Sequence, residues 1–376
     1  MLSVLLGQKN YGAANKVLGN ICSLNAIIGI LFMAVSLTWL DPILHFFGAT
    51  ENTLPYARDY MEIILYGNVI THLYFGLNGA MRSSGNPRFA MGLTLFTVIF
   101  NAILDPIFIF WLHMGVRGAA YATVIAQLAA LVIIMMAFSR KNQEVHFEKG
   151  IFRLDPKVAI DSFQVGMGPF LMNSVACLVN MFINQQLLKY SGDLGIGAYG
   201  IVHRISFLFL MIVMGLNQGM QPIAGYNYGA KLYDRVLKVL NMTVVCACIV
   251  MSMCFLTGML FPRAAVSIFT HDEQLIEMAA HGLSINVIRF LIVGRQMVIS
   301  NFFQSLGLAR RAIFLSLSRQ LIFLLPCLII LPIFFGVDGV WYSFPASDLA
   351  AVIISEILLA NLKKSFKKEA QGNERI

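Results

Sequence analysis

Residues 89–139 read FAMGLTLFTVIFNAILDPIFIFWLHMGVRGAAYATVIAQLAALVIIMMAFS. Two apolar runs, near 89–111 and 117–139, flank a short turn at about Met114 to Gly118. Each run is long enough for a helix to cross the roughly 30 Å of hydrocarbon in a bilayer, and so short a connection forces the two to pack antiparallel. Outward from this pair, runs of the same kind lie near 20–42, 60–82, 158–188, 195–222, 239–262, 275–303, 311–335 and 339–362, which makes ten expected spans. Composition agrees. The 376 residues are 58% hydrophobic and 12% charged, with a mean hydropathy of +0.74, whereas soluble domains are roughly 45–50% apolar and about 25% charged. Lipid must face most of this surface. The expected fold class is all-α, a polytopic membrane helical bundle; disordered, collagen-like, disulfide-scaffold and nucleic-acid-binding classes are excluded.

The net charge of +8 has its source in the loops. With connections numbered alternately, one side holds Lys9, Lys16, Arg82, Arg88, Arg140, Lys141, Lys149, Arg153, Lys157, Lys231, Arg235, Lys238, Arg310, Arg311, Lys363, Lys364, Lys367, Lys368 and Arg375. That is 19 of the 27 Lys and Arg residues; the other side holds four, Arg58, Arg117, Lys189 and Arg263. The remaining four, Arg204, Arg289, Arg295 and Arg319, fall within spans. The positive-inside rule then makes the basic side cytoplasmic, with both termini inside a cytoplasmic (inner) membrane. All three tryptophans, Trp39, Trp111 and Trp341, sit near span ends on the sparsely charged side, as an interfacial belt would have them. The six cysteines lie in apolar stretches without a CxxC pair and read as small buried hydrophobes. No cleavable signal is expected at the N-terminus.

The chain repeats itself. Asn10-Tyr11-Gly12-Ala13 recurs as Asn227-Tyr228-Gly229-Ala230, and Arg82-Ser-Ser-Gly85-Asn-Pro-Arg88 as Gln304-Ser-Leu-Gly307-Leu-Ala-Arg310. Gly115-Val-Arg-Gly118 meets Gly336-Val-Asp-Gly339, and Gln127-Leu-Ala-Ala130 meets Asp348-Leu-Ala-Ala351. Both copies of each landmark fall on one membrane side, so two parallel, pseudo-symmetric lobes are expected, residues 1–145 with four spans and 146–376 with six plus a basic tail. The six-to-four imbalance implies that two further spans would precede Met1.

Charged residues within spans are costly and mark functional sites by default. Asp105 is the clearest, with Asn101 one turn earlier on the same helical face. Counted from Gly115 at 1.5 Å per residue, Asp105 and Thr123 lie about 15 and 12 Å deep, and Asn101 and Gln127 about 21 and 18 Å. A carboxylate, a hydroxyl and amide oxygens at similar depth suit a small hard cation, and a desolvated carboxylate there suits a proton. The same spacing also suits a polar cross-link between two helices, or Asp105 capping backbone freed by Pro106. Asp348, at the repeat position of Gln127, suits either substrate binding or a salt bridge to an intramembrane arginine. Asn78, Gln127, Asn173, Gln221 and Asp348 are candidates to line a substrate cavity. Glu356 is expected to snorkel toward the cytoplasm, and Arg295 is unusual for a span centre.

Several runs resemble the multidrug and toxic compound extrusion (MATE) family. They are Asn101-Ala-Ile-Leu-Asp105-Pro106, Met114-Gly-Val-Arg-Gly118-Ala-Ala-Tyr-Ala-Thr123-Val-Ile-Ala-Gln127, and Gly219-Met-Gln221-Pro222-Ile-Ala-Gly225-Tyr-Asn-Tyr-Gly229-Ala230. Gly166-Met-Gly168-Pro169 followed by Asn173 and Asn180, without an acid, looks like the DinF-like branch. The resemblance implies an antiporter exporting organic cations or other amphipathic compounds against sodium ions or protons. It places the coupling site, Na+ or H+, on Asn101, Asp105 and Thr123, together with an acid on a first span that this chain does not include. No cofactor beyond the coupling ion and no nucleic acid is expected; the partners are a small amphipathic substrate and membrane lipid, and the expected state is a monomer. One rival is a flippase for lipid-linked saccharides, which would use cationic cavity residues such as Arg204, Arg289 and Arg295. Another is an inactive fragment. An enzyme is disfavoured, since neither HExxH nor GxSxG occurs.

Overall fold

The computed structural model describes residues 1–140, 144–148, 150 and 153–373; Lys141, Lys149 and Arg375 of the basic side lie outside them. Among the described residues every regular element is a helix and there is no strand. In the first part run α1 (Leu2–Gly7), α2 (Tyr11–Thr38), α3 (Leu40–Phe46), α4 (Leu54–Tyr66), α5 (Asn68–Ser83), α6 (Pro87–Pro106), a π-helical turn (Ile107–Trp111) and α7 (Gly115–Phe138). Then follow α8 (Pro156–Gly229), α9 (Tyr233–Leu260), α10 (Pro262–Ser267), α11 (Glu273–Val287), α12 (Phe290–Ser305), α13 (Ala309–Leu317), a second π-helical segment (Ser318–Leu324), α14 (Leu325–Phe335) and α15 (Val337–Asn373). Helix starts follow local chemistry. The Asn10 side chain accepts from the Ala13 N–H to cap α2, and the Asp272 carboxylate accepts from two N–H groups to cap α11.

Among the described residues seven helices are long and apolar enough to cross a membrane, or eight if α11 and α12, bent by 56° at their junction, are one span. The ten expected spans differ from this in two places. Runs 158–188 and 195–222 belong to α8, whose 74 residues are interrupted at Gly192 (φ 63, ψ −156), a backbone conformation open to glycine. Run 60–82 is realised as α4 and α5, broken at Gly67 and each shorter than a span. Trp39 and Trp111 are exposed, 59% and 81%, as a belt requires, but Trp341 is 1% exposed. Its ring occupies the space left by the missing side chain of Gly282, so it is a core residue.

The repeat is written in the backbone. Lys9 and Lys231 both take φ 58, Gly85 and Gly307 φ 91 and 78, and Gly115 and Gly336 φ 55 and 56, at offsets of 222, 222 and 221 residues. This corrects the register of the first landmark. Gly7-Gln-Lys9 corresponds to Gly229-Ala-Lys231, five residues on from the match of Asn10 with Asn227, because the left-handed lysine sets the turn that opens α2 and α9. The helix breaks correspond as well, Gly67 in one half and Arg289 in the other. Within the halves, α2 packs on α5 as α9 packs on α12, and α6 packs on α7 as α14 packs on α15.

The chain divides into two compact units, Met1–Ser162 and Phe163–Ile376, each with its own apolar core. Leu18, Leu77, Met81 and Phe138 belong to the first core, and Ile183, Leu187, Phe290 and Phe303 to the second. The division lies beyond residue 145, where the sequence pattern put it, because the connecting segment is tied back onto α2. Asn15 accepts from the His146 N–H (3.2 Å), Asn20 accepts from the Asp155 N–H (3.1 Å), and Phe147 packs on Phe138.

Gly118 and Gly339 open α7 and α15 against the end of the preceding helix. A Cβ on Gly118 would lie 2.7 Å from the Phe108 carbonyl, and one on Gly339 would meet the Leu331 carbonyl. A helical Gly→Ala change ordinarily gains roughly 0.5–1 kcal/mol, but here the obstacle is backbone, and overpacking costs about 1–3 kcal/mol. Gly118→Ala is expected to lower the melting temperature of the detergent-purified protein; an unchanged or raised value would contradict this close packing.

Candidate functional site

In the first unit, α6 and α7 bring the expected residues together. Asn101 and Asp105 are one turn apart on α6, and Thr123 and Gln127 one turn apart on α7. The Asn101 amide reaches both the Asp105 carboxylate (3.3 Å) and the Thr123 hydroxyl (3.4 Å), while Thr123 donates to the Ala119 carbonyl (3.0 Å). The Thr71 hydroxyl on α5 is bonded to the Gln127 carbonyl oxygen. A cavity of about 220 Å³ opens beside this group, lined by Tyr74, Phe75, Thr94, Thr97, Val98, Asn101, Thr123, Ala126 and Gln127. Asp105 is half-buried and reaches the cavity through Asn101. Pro106 has no N–H to offer the Ala102 carbonyl, which leaves a further oxygen beside Asp105 without its helical donor. Asn101 does cross-link the two helices, and the adjoining cavity, whose walls are mostly apolar but carry the Asn101, Thr123 and Gln127 side chains, gives these polar groups room for a small ion and its water.

The other candidates divide. Asn78 is buried on α5, donating to the Ala90 carbonyl (3.1 Å) and reaching the Thr94 hydroxyl (3.4 Å); it ties α5 to α6 and is not among the lining residues. Gln221 donates to Asn301 (3.4 Å), linking α8 to α12. Asn173 is exposed on α8. Asp348, 1% exposed, takes the salt bridge: Arg289 Nη1 lies 3.4 Å from one carboxylate oxygen and Arg319 Nε 2.9 Å from the other. Both arginines are among the four that fall within spans. Both carboxylate oxygens of Glu356 bond Arg295, which accounts for an arginine at that depth. Among the described residues no group of three or more His, Cys, Asp and Glu gathers to hold a metal.

Comparison with known proteins bears on this geometry. The MatE family profile matches residues 1–107 and 169–329. The multidrug export protein MepA of Staphylococcus haemolyticus (strain JCSC1435) is 26% identical over 362 residues, covering 96% of this chain and 79% of that protein. MepA of Staphylococcus aureus (strain MW2) is 27% identical over 375 residues, 99% and 82% of the two chains. The MATE multidrug transporter DinF-BH, solved in a complex, superposes with a TM-score of 0.86 at 37% identity, covering 96% of this chain and 81% of that one. An outward-facing multidrug resistance MATE family transporter of the MOP superfamily shares the fold, with a TM-score of 0.90 at 21% identity over 98% and 82%. The family profile covers most of the length and the whole helical order recurs in solved relatives, so this chain belongs to the MatE family, the multi-pass membrane transporters known as MATE proteins.

Proposed function

We propose that this protein is a secondary active antiporter that exports organic cations, drugs or other amphipathic compounds in exchange for sodium ions or protons, by alternating access of its two lobes. The observation that carries this reading is the cluster of Asn101, Asp105 and Thr123 beside a cavity of about 220 Å³ within a family of exporters. Relatives named multidrug export proteins and a solved relative named a multidrug transporter support the substrate class. The coupling ion binds Asp105 with the Asn101 and Thr123 oxygens, and each charge carried inward down 100 mV supplies about 2.3 kcal/mol. Nothing favours the flippase: of its three cationic residues, Arg295 is paired with Glu356 and Arg289 shares the Asp348 carboxylate with Arg319.

The protein sits in the cytoplasmic membrane as a monomer with both termini inside. Support comes from the 19-to-4 split of Lys and Arg between the two sides.

The deciding experiment reconstitutes the chain in vesicles and follows efflux of a fluorescent organic cation under separately imposed sodium and pH gradients. Stimulation by one gradient is expected; a dye flux indifferent to both would overturn the reading. Thr123→Val removes one oxygen ligand of about 1–1.5 kcal/mol, so the sodium or proton concentration for half-maximal efflux should rise roughly tenfold. An unchanged half-maximum would remove Thr123 from the site.

A further inference from the structure

The second unit has a counterpart of the first unit's cavity, and it is filled. The backbone register of 222 residues is confirmed by two side-chain rungs. Asn78 with Thr94 (3.4 Å) recurs as Ser300 with Ser316 (2.9 Å). Tyr74 with Thr97 (3.2 Å) recurs as Gln296 with Arg319 (3.3 Å). Positions around the cavity can therefore be compared residue by residue.

Three of them change together. Gly67 becomes Arg289, Thr97 becomes Arg319, and Gln127, with the register at 221 beyond Gly336, becomes Asp348. Where Thr97 and Gln127 line open space, the Arg319 guanidinium lies with Nε 2.9 Å from Asp348 and Nη1 donating to Gln296 (3.3 Å). Arg289 approaches the other carboxylate oxygen with its guanidinium over the Phe344 ring at 4.9 Å, and Phe344 stands where Thr123 stands in the first unit. Two guanidiniums share one carboxylate, and the cluster carries one surplus positive charge.

We propose that Arg319 is a tethered cation. Asp348 and Gln296 form a monovalent-cation site of the second unit, and its permanent occupant is the guanidinium of the chain itself. The surplus charge supplied by Arg289 bars a second free cation while Arg319 is in place. The proposal goes beyond the coupling role given to Asp105, since it depends only on the register of the two units and on contacts within the second.

A tethered ligand can be cut and replaced. Arg319→Ala leaves a guanidinium-sized space facing a free oxygen of Asp348. The purified variant is expected to melt below the wild type and to regain at least half of the lost melting temperature, saturably, in low-millimolar guanidinium chloride. Wild type should not respond, and Arg319→Ala combined with Asp348→Asn should not respond. No recovery in guanidinium overturns the proposal, as does equal recovery in sodium chloride of the same ionic strength or in the double variant. Where Arg319→Ala does not fold, Arg319→Lys and Arg319→Met decide the matter. The lysine variant, which keeps a tethered cation, should melt near the wild type and the methionine variant well below it; equal melting of the two would make Arg319 a packing residue and end the proposal.

Discussion

Asp105→Asn is expected to abolish ion-driven efflux while leaving the protein folded. The substitution keeps the size and planarity of the side chain and the neighbourhood of the Asn101 amide, but removes the one full negative charge of the cluster. Hydrogen bonds and contacts to a charged group are worth roughly 1.5–3 kcal/mol, so ion binding should weaken by about a hundredfold, enough to uncouple transport at ordinary sodium or proton concentrations. Asp105 is only half-buried, and a change there should move stability by no more than about 0.5 kcal/mol. Gradient-driven dye efflux and a melting curve on the same preparation test both halves. Normal efflux by this variant would refute the coupling role, and loss of efflux accompanied by unfolding would leave Asp105 a structural residue.

Asp348→Asn should do the reverse and act on stability first. The carboxylate is 2% exposed and faces guanidiniums that are 13% and 25% exposed. Removing its charge strands two cations in a medium that hydrates them poorly, and breaking a buried pair in this way costs about 3–5 kcal/mol. A marked fall in melting temperature, or failure to accumulate in the membrane, is expected. Arg319→Ala should be milder, since Arg289 and Asp348 remain a neutral pair. Replacing Arg289, Arg319 and Asp348 together with Met, Met and Leu should restore most of the loss, because apolar substitution of a whole buried ionic cluster is often neutral. A melting temperature for Asp348→Asn within a degree or so of wild type would show that the cluster carries little of the unit's stability.

The contrast between these two acids shows what the letters alone could convey. Asn101, Asp105, Thr123 and Gln127 were legible because they sit four residues apart on two helices joined by a short turn, so helical rise fixes their relative depth. The bonding of Arg289, Asp348 and Arg319 joins a helix break, a π-helical segment and a later helix, and no periodicity relates such places. Gly67 and the α11–α12 bend fell inside runs of span length, and a run of that length reads the same whether its helix is straight or kinked, although Gly67 and Arg289 stood at the breaks themselves. The repeat was visible, but its register near Gly7 followed the shared letters Asn-Tyr-Gly-Ala, whereas the geometry is set by Lys9 and Lys231, whose side chains give no warning of left-handed backbone. Trp341 looked interfacial because its packing partner, Gly282, offers no side chain to read.

The reversal at Gly192 bears on how the protein is made. At about 1.5 Å per residue the 74 residues of Pro156–Gly229 would measure roughly 110 Å if straight, several bilayer thicknesses, so the chain must double back, and it does so within a single residue. Few polar groups flank the bend, chiefly Lys189, Ser191 and Asp193. With so short a connection, the two arms are held side by side as one hairpin. A side chain at position 192 would strain the positive-φ conformation on which the hairpin turns.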